Sequence, residues 1–103
     1  MRIKALIAEL VKRDGSDCFF RSGGIPCLRV DGLITQIGDE ILTVEDVIKA
    51  TEELTTPELR EQFKANLDID FAIFLEEFGR RFRVSIFTQR NCPSIVIRNI
   101  RNY

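Results

Sequence analysis

The chain has 103 residues, which suits one domain built around one hydrophobic core, and we expect a single domain over residues 1–103. Hydrophobic residues make up 45% and charged residues 30%, and the net charge of −1 gives no general attraction to nucleic acid. No stretch reaches the ~18 apolar residues of a membrane helix, and charges scattered through the first thirteen residues break up any signal-peptide core, so we expect a cytoplasmic protein.

The first third of the chain predicts one helix and three short strands. Apolar residues at helical spacing predict an amphipathic helix over residues 3–13, with Gly15 as a left-handed cap after it. Asp31-Gly32 is a favoured two-residue hairpin turn between the second and third strands. The strands are predicted from Cys18, from Cys27 to Val30 and from Leu33 to Ile37.

The middle of the chain predicts two helices. Thr43 is a suitable N-cap, and Asp46 stands three residues later, where a capping box has its acidic partner. Thr56-Pro57 caps and begins a second helix, because proline is tolerated at the first helical position. The residues expected to be buried are Val44, Val47, Ile48 and Leu54 in the first helix, and Leu59 and Phe63 in the second.

The last third predicts three further strands. Apolar residues alternate with polar ones over residues 69–74 and again over 81–87, and a final strand is expected over 94–100. The resulting order is one helix, three strands, two helices and three strands. Hairpin-like links favour mainly antiparallel pairing with the helices on one face. The fold class is therefore α+β, in the element order of a PAS-like domain.

Several kinds of site are disfavoured by the residues themselves. The chain has no histidine, which removes Ser/His and Cys/His catalysis. Cys18, Cys27 and Cys92 have no metal-binding spacing, so we expect buried or half-buried free thiols and no metal site. None of the six glycines precedes a lysine, so there is no Walker A motif, and we expect no ATP hydrolysis by this chain alone.

The final hairpin carries the most suggestive chemistry. Arg81 and Arg83 share the face opposite the apolar residues of their strand, and a tight turn near residues 90–92 brings Arg98 opposite Arg83 or within one pair of it. Like charges opposed across strands cost stability, which favours an anion or a partner carboxylate between them. The simpler alternative is that both arginines pair with acids of the domain itself, such as Asp70 or Glu76.

Charge is also unevenly distributed along the chain. Residues 39–70 carry ten acidic residues against three basic ones, whereas residues 80–101 carry six arginines and no acid. Such a two-sided domain could pack head-to-tail against copies of itself, although an ordinary solvated surface gives the same pattern.

Several short pieces of the sequence, in a fixed order, point to one protein family. Ser16-Asp17, and then Pro26 and Leu28 to Gly32, are similar to the opening of the secretion ATPases of the PilT/GspE superfamily. Three later runs, in the same order and spacing, are similar to the PilT and PilU branch, and the letters QRN are closer to PilU. These runs are Asp70 to Ile73, Gly79 to Asn91 and Ile97 to Ile100. The resemblance covers nearly all of residues 3–100, although the family commonly has proline where Arg101 stands.

The resemblance implies the N-terminal PAS-like domain of a hexameric type IV pilus twitching-motility or type II secretion ATPase. In that family, the domain packs on the RecA-like domain of the adjacent subunit, which binds ATP and Mg and works with inner-membrane pilus or secretion machinery. Arg83 and Arg98 match the arginines that reach the nucleotide phosphates in trans. The implied inter-subunit interface includes Arg81, Phe87, Gln89 and Arg90. No cofactor would be bound by the domain alone.

Two other functions stay open. A standalone PAS-like ligand- or protein-binding module would need an enclosed pocket of roughly 300 Å3 or more. Nucleic-acid binding through the arginine-rich hairpin is less favoured, because that face has few exposed aromatic residues beyond Phe87. The sequence is compatible with a piece of a longer ATPase and with a free-standing domain.

Overall fold

A computed structural model describes residues 1–100, and Arg101 lies outside the described residues. Within them the chain forms three α-helices, a short 3-10 helix and six strands. The helices are α1 (Ile3–Lys12), α2 (Val44–Leu54) and α3 (Pro57–Asn66), and the 3-10 helix spans Glu76–Phe78. The strands are β1 (Asp17–Arg21), β2 (Cys27–Val30), β3 (Leu33–Gln36), β4 (Asp68–Leu75), β5 (Arg80–Gln89) and β6 (Cys92–Asn99).

All six strands form one sheet in the order β3-β2-β1-β6-β5-β4, and every neighbouring pair is antiparallel. The predicted α+β, PAS-like fold with mainly antiparallel pairing is confirmed. The last strand is therefore central, between β1 and β5. No helix within residues 1–100 is both long enough and apolar enough to cross a bilayer.

The core lies between the helices and one face of the sheet. Alternating strand residues point into it, so Cys18 and Phe20 on β1 meet Ile95 and Ile97 on β6 and the apolar side of α1. These side chains are fully buried and fill the space between the layers. The core between the helices and the sheet is therefore filled by the protein's own side chains.

The end of α1 differs from the prediction in one respect. Asp14, not Gly15, adopts the left-handed conformation, with φ 51°. Gly15 is needed for a different reason: a Cβ placed there would lie 2.9 Å from the carbonyl oxygen of Arg29. The backbone of the loop thus approaches β2 too closely for a side chain.

Helix α2 begins as predicted, but its buried face is partly different. Thr43 Oγ1 accepts from the backbone N–H of Asp46, whose carboxylate accepts from the N–H of Thr43, so the capping box is complete. Val44 and Ile48 were expected in the core, and this was wrong, because their exposed fractions are 37% and 48%. The helix is rotated so that its buried positions are Val47, Ala50, Thr51 and Leu54.

No helix formed by residues 1–100 covers the other sheet face, and we call it the open face. Its side chains come from the alternate positions of every strand, such as Asp17, Phe19, Arg29, Arg83 and Arg98. Two tight turns fix the strand registers that build this face. Asp31-Gly32 joins β2 to β3 as predicted, and Arg90-Asn91 joins β5 to β6, all four residues having positive φ.

Candidate functional site

Arg83 and Arg98 lie opposite each other at the middle of the open face. They are Cα partners in the β5–β6 ladder, as the sequence predicted to within one pair. Their side chains are 57% and 70% exposed. Two guanidinium groups that share one position on a water-exposed sheet make a suitable place for a phosphate or carboxylate, which each can bind in bidentate fashion.

Each of the two arginines has an acidic partner on its outer side. Arg83 Nε donates to Asp70 Oδ1 on β4 at 3.0 Å, an ion pair that the sequence analysis raised as the simpler alternative. Glu76, the other candidate there, forms no ion pair with either arginine. Because both groups of the Arg83–Asp70 pair are about half exposed, the pair contributes little to stability and can exchange for another anion.

Arg98 has a partner that sequence analysis did not identify. Its Nε lies 3.6 Å from Asp17 Oδ1, and the other oxygen of Asp17 lies 3.6 Å from a terminal nitrogen of Arg29. The Asp17 side chain is only 11% exposed and also accepts a hydrogen bond from Ser16 Oγ at 2.7 Å. Asp17 is thus a fixed carboxylate that holds two flexible arginines, one on each neighbouring strand.

These contacts form a charged row across four strands. Arg29, Asp17, Arg98 and Arg83 are successive Cα partners from β2 to β5. Within residues 1–100 the only ion pairs of Arg83 and Arg98 are those to Asp70 and Asp17, which lie outside the pair, so the gap between the two arginines has no internal counter-charge. The row can therefore accept an external anion at that gap.

The other predicted interface residues are spread along the hairpin. Arg81, Phe87 and Gln89 share the open face with Arg83, and Arg90 lies in the turn. With about 3.3 Å per residue, Arg81 is about 7 Å from Arg83, whereas Gln89 is about 20 Å away. The structure thus brings Arg81, Arg83 and Arg98 together and leaves Gln89 and Arg90 at the far end.

The sequence signal for Asp17 and Arg29 was present but could not be interpreted without the register. Both residues belong to segments that are similar in sequence to the secretion ATPases. Their position beside Arg98 depends on β1 pairing with β6, about eighty residues away along the chain. A tight turn fixes the register of the two strands that it joins. It does not predict how strands far apart in the sequence pair with each other.

The thiols and acids offer no further chemistry at this site. Burial strongly raises the pKa of the Cys18 thiol, because water cannot reach and stabilise the thiolate. The thiol is therefore unreactive at neutral pH. Cys27 and Cys92 are half-buried and free. Across residues 1–100, no three cysteine, aspartate or glutamate side chains are grouped closely enough to hold a metal ion.

Comparison with known proteins finds a relative in sequence. No protein-family model matches the chain. The chain is 32% identical over 100 residues to the type IV pilus ATPase PilU of Pseudomonas aeruginosa, and the match covers 97% of this chain. It covers 26% of PilU, so the chain spans about a quarter of the length of this relative.

Solved structures share the fold over nearly the whole chain. The crystal structure of the pilus retraction motor PilT with bound ADP matches with a TM-score of 0.90 and 24% identity, over 100% of this chain and 30% of PilT. The ATPase DotB of Legionella pneumophila matches with a TM-score of 0.81 and 17% identity, over 97% of this chain and 28% of DotB. At these identities the structures establish the fold, and the PilU match carries the sequence relationship.

Proposed function

Since the chain is related in sequence and in fold to the N-terminal, PAS-like domain of the PilT/PilU-type ATPases, we propose that it is the corresponding domain of a hexameric pilus or secretion ATPase. In this role it forms part of the inter-subunit interface and supplies Arg83 and Arg98 to the nucleotide phosphates of the adjacent subunit. The observation that carries the proposal is the direct opposition of these two arginines on the open face.

The charges around the pair support a role at phosphate. A nucleotide phosphate develops negative charge during transfer, and guanidinium groups placed beside it stabilise the transition state. Arg83 and Arg98 are exposed, have weak internal ion pairs and stand at paired positions on neighbouring strands. Their acidic partners Asp70 and Asp17 would orient them while the phosphate takes the central position.

The partner in this proposal is the RecA-like domain of the next subunit, which supplies the bound ATP and Mg. The part of the open face around β5 and β6 is the surface that would meet it, with Arg81, Phe87, Gln89 and Arg90 extending the contact along the hairpin. The whole assembly would be cytoplasmic and peripheral to the inner membrane, where it works on pilus or secretion machinery. The domain itself contributes interface and charge, and the ATPase domain contributes the chemistry.

The test is ATP turnover by the protein in which this domain precedes the ATPase domain. Arg83→Ala and Arg98→Ala are compared with Arg13→Ala, a matched arginine change just after α1, where the side chain pairs with Glu9. Hexamer formation is measured in parallel by light scattering. Loss of phosphate contact should reduce turnover at least about tenfold with the ring intact.

Two outcomes would reject the assignment. Unchanged turnover in both variants would make the arginines ordinary surface groups and reduce the domain to a scaffold. A collapse of turnover that accompanies loss of the hexamer would give the arginines a purely structural role. Arg13→Ala should match the unmodified protein in both measurements.

A further inference from the structure

The half of the open face built by β1, β2 and β3 contains a groove that the proposed function does not use. The groove has a volume of about 440 Å3 and is lined mainly by Phe19, Arg21, Cys27, Arg29, Ile34 and Gln36. It lies on the opposite side of Asp17 from the Arg83–Arg98 pair. Its floor is partly apolar, since Phe19 and Cys27 are half-buried Cα partners. On β3, Gln36 is the Cα partner of Cys27, and Ile34, with an exposed fraction of 55%, is the partner of Arg29.

The groove carries positive charge without any negative side chain. Among the residues that the structure describes, two arginines and no aspartate or glutamate line it. Arg29 is paired with Asp17 outside the groove, but Arg21 forms no ion pair within residues 1–100. Arg21 is also exposed, so its guanidinium is available to a carboxylate that enters the groove.

The aromatic ring in the groove is already occupied by these arginines. The guanidinium carbon of Arg21 lies 5.3 Å from the ring centroid of Phe19, and that of Arg29 lies 5.4 Å from it. Arg21 follows Phe19 on β1 and Arg29 is the Cα partner of Asp17, so the two approach the ring from opposite directions along the strand. These cation–π contacts hold both guanidinium groups at the groove and leave little of the ring for stacking with a base.

We propose that this groove binds an acidic segment of a partner protein, in which an apolar side chain stands next to a carboxylate. The apolar side chain would lie on Cys27 and Ile34, beside the arginine-covered ring of Phe19, and the carboxylate would accept bidentate hydrogen bonds from Arg21. Charge complementarity selects this class of occupant, because a cationic segment would meet two arginines and a neutral one would leave Arg21 without a counter-charge.

The experiment titrates the 103-residue chain, labelled with 15N, with a capped peptide of alternating glutamate and leucine. Backbone amide shifts are followed at low salt. We expect saturable shifts centred on Phe19, Arg21 and Ile34. Arg21→Gln should weaken binding at least about fivefold, because a charge-assisted hydrogen bond is lost.

Matched controls distinguish recognition of the carboxylate from nonspecific binding of the peptide. Arg13→Gln removes an exposed arginine just after α1 that does not line the groove, and it should leave the peptide affinity unchanged. A peptide with glutamine in place of glutamate should bind at least about fivefold more weakly, for the same reason as Arg21→Gln. Well-dispersed spectra of both variants establish that they are folded before the comparison is made.

Several results would overturn the proposal. Equal binding of the glutamine peptide, an unchanged affinity in Arg21→Gln, or shifts confined to other surfaces would each remove acidic recognition from this groove. Tighter binding of a single-stranded oligothymidine at the same residues would assign the groove to nucleic acid. Concentration-dependent shifts at the groove without any peptide would assign it to a second copy of the chain.

Discussion

Arg83 and Arg98 oppose each other across β5 and β6, and each has its carboxylate on the side away from the other. Asp70 neutralises Arg83 from β4, and Asp17 neutralises Arg98 from β1. Each arginine is therefore stabilised by its own carboxylate, whereas the two guanidinium groups repel each other. An external anion bound between them would relieve this repulsion.

A double-mutant cycle on Arg83→Gln and Arg98→Gln should measure this repulsion. Since opposed like charges destabilise a sheet, we expect an unfavourable coupling of about 0.2–1 kcal/mol in urea unfolding at low salt. The coupling should vanish in 1 M salt, where charges this exposed are screened. A favourable coupling would mean that the two guanidinium groups stack, and would contradict a repulsive pair.

Asp17→Asn should destabilise the domain more than Asp70→Asn. The Asp17 side chain is 11% exposed and serves two arginines, whereas that of Asp70 is 51% exposed and serves one. We expect a loss of about 1–3 kcal/mol for the first variant and less than about 1 kcal/mol for the second, from urea unfolding. Equal losses would mean that Asp17 is a surface group in energetic terms.

Gly15→Ala should lower the free energy of unfolding by about 1–3 kcal/mol, because the loop has no room for a Cβ. The new atom would lie 2.9 Å from a backbone oxygen of Arg29 and 3.0 Å from a methyl group of Leu10. Gly24→Ala is the matched control, since its nearest neighbour lies at 3.8 Å. Urea unfolding of the two variants decides the point, and equal stability would refute the close approach.

The capping box of α2 predicts a pH dependence. The backbone N–H of Thr43 donates to Asp46 and lowers the pKa of this carboxyl below its usual value of 3.8. A lowered folded-state pKa gives stability that is present at neutral pH and lost as pH falls through that pKa. The stability difference between the unmodified protein and Asp46→Asn should therefore shrink below about pH 4.

The control for this pH series is Thr56→Ala at the start of α3. Thr56 Oγ1 accepts from the N–H of Leu59, and no carboxylate completes a box there. Thr56→Ala should lower the free energy of unfolding by about 1 kcal/mol, and this loss should stay constant through the same pH range. Chemical denaturation at each pH gives both values, and a parallel decline in the two variants would contradict the role of Asp46.

Leu67→Gly should stabilise the protein by up to about 1 kcal/mol. Leu67 follows α3 as its C-cap and has a left-handed backbone conformation, with φ 62°. Residues other than glycine are strained in this conformation. Its side chain is 59% exposed, so little burial is lost. Leu33→Gly, at 72% exposed but within β3, should instead destabilise, and thermal unfolding distinguishes the two.

Local chemistry accounts for what the sequence predicted well. The Thr43–Asp46 capping box, the Asp31-Gly32 turn and the alternation in β5 each depend on residues within a few positions of one another. The register of the final hairpin follows from its turn, so the pairing of Arg83 with Arg98 could be predicted from the sequence. Strand ends were predicted to within one or two residues for the same reason.

What the sequence did not predict depends on packing between distant elements. Val44 and Ile48 fit the apolar stripe of α2, but the rotation of the helix against the sheet buries Ala50 and Thr51 instead. The partnership of Asp17 with Arg98 requires the β1–β6 register, which no local signal encodes.

The central position of β6 has a consequence for how the chain folds. Until Cys92 to Asn99 is in place, β3-β2-β1 and β5-β4 are separate ribbons with no strand between them. The two-stranded ribbon alone is only marginally stable, and the pairing that joins β1 to β6 closes a loop of about eighty residues. We therefore expect a chain emerging from the ribosome to stay open until its last strand is released, and then to fold in one cooperative step.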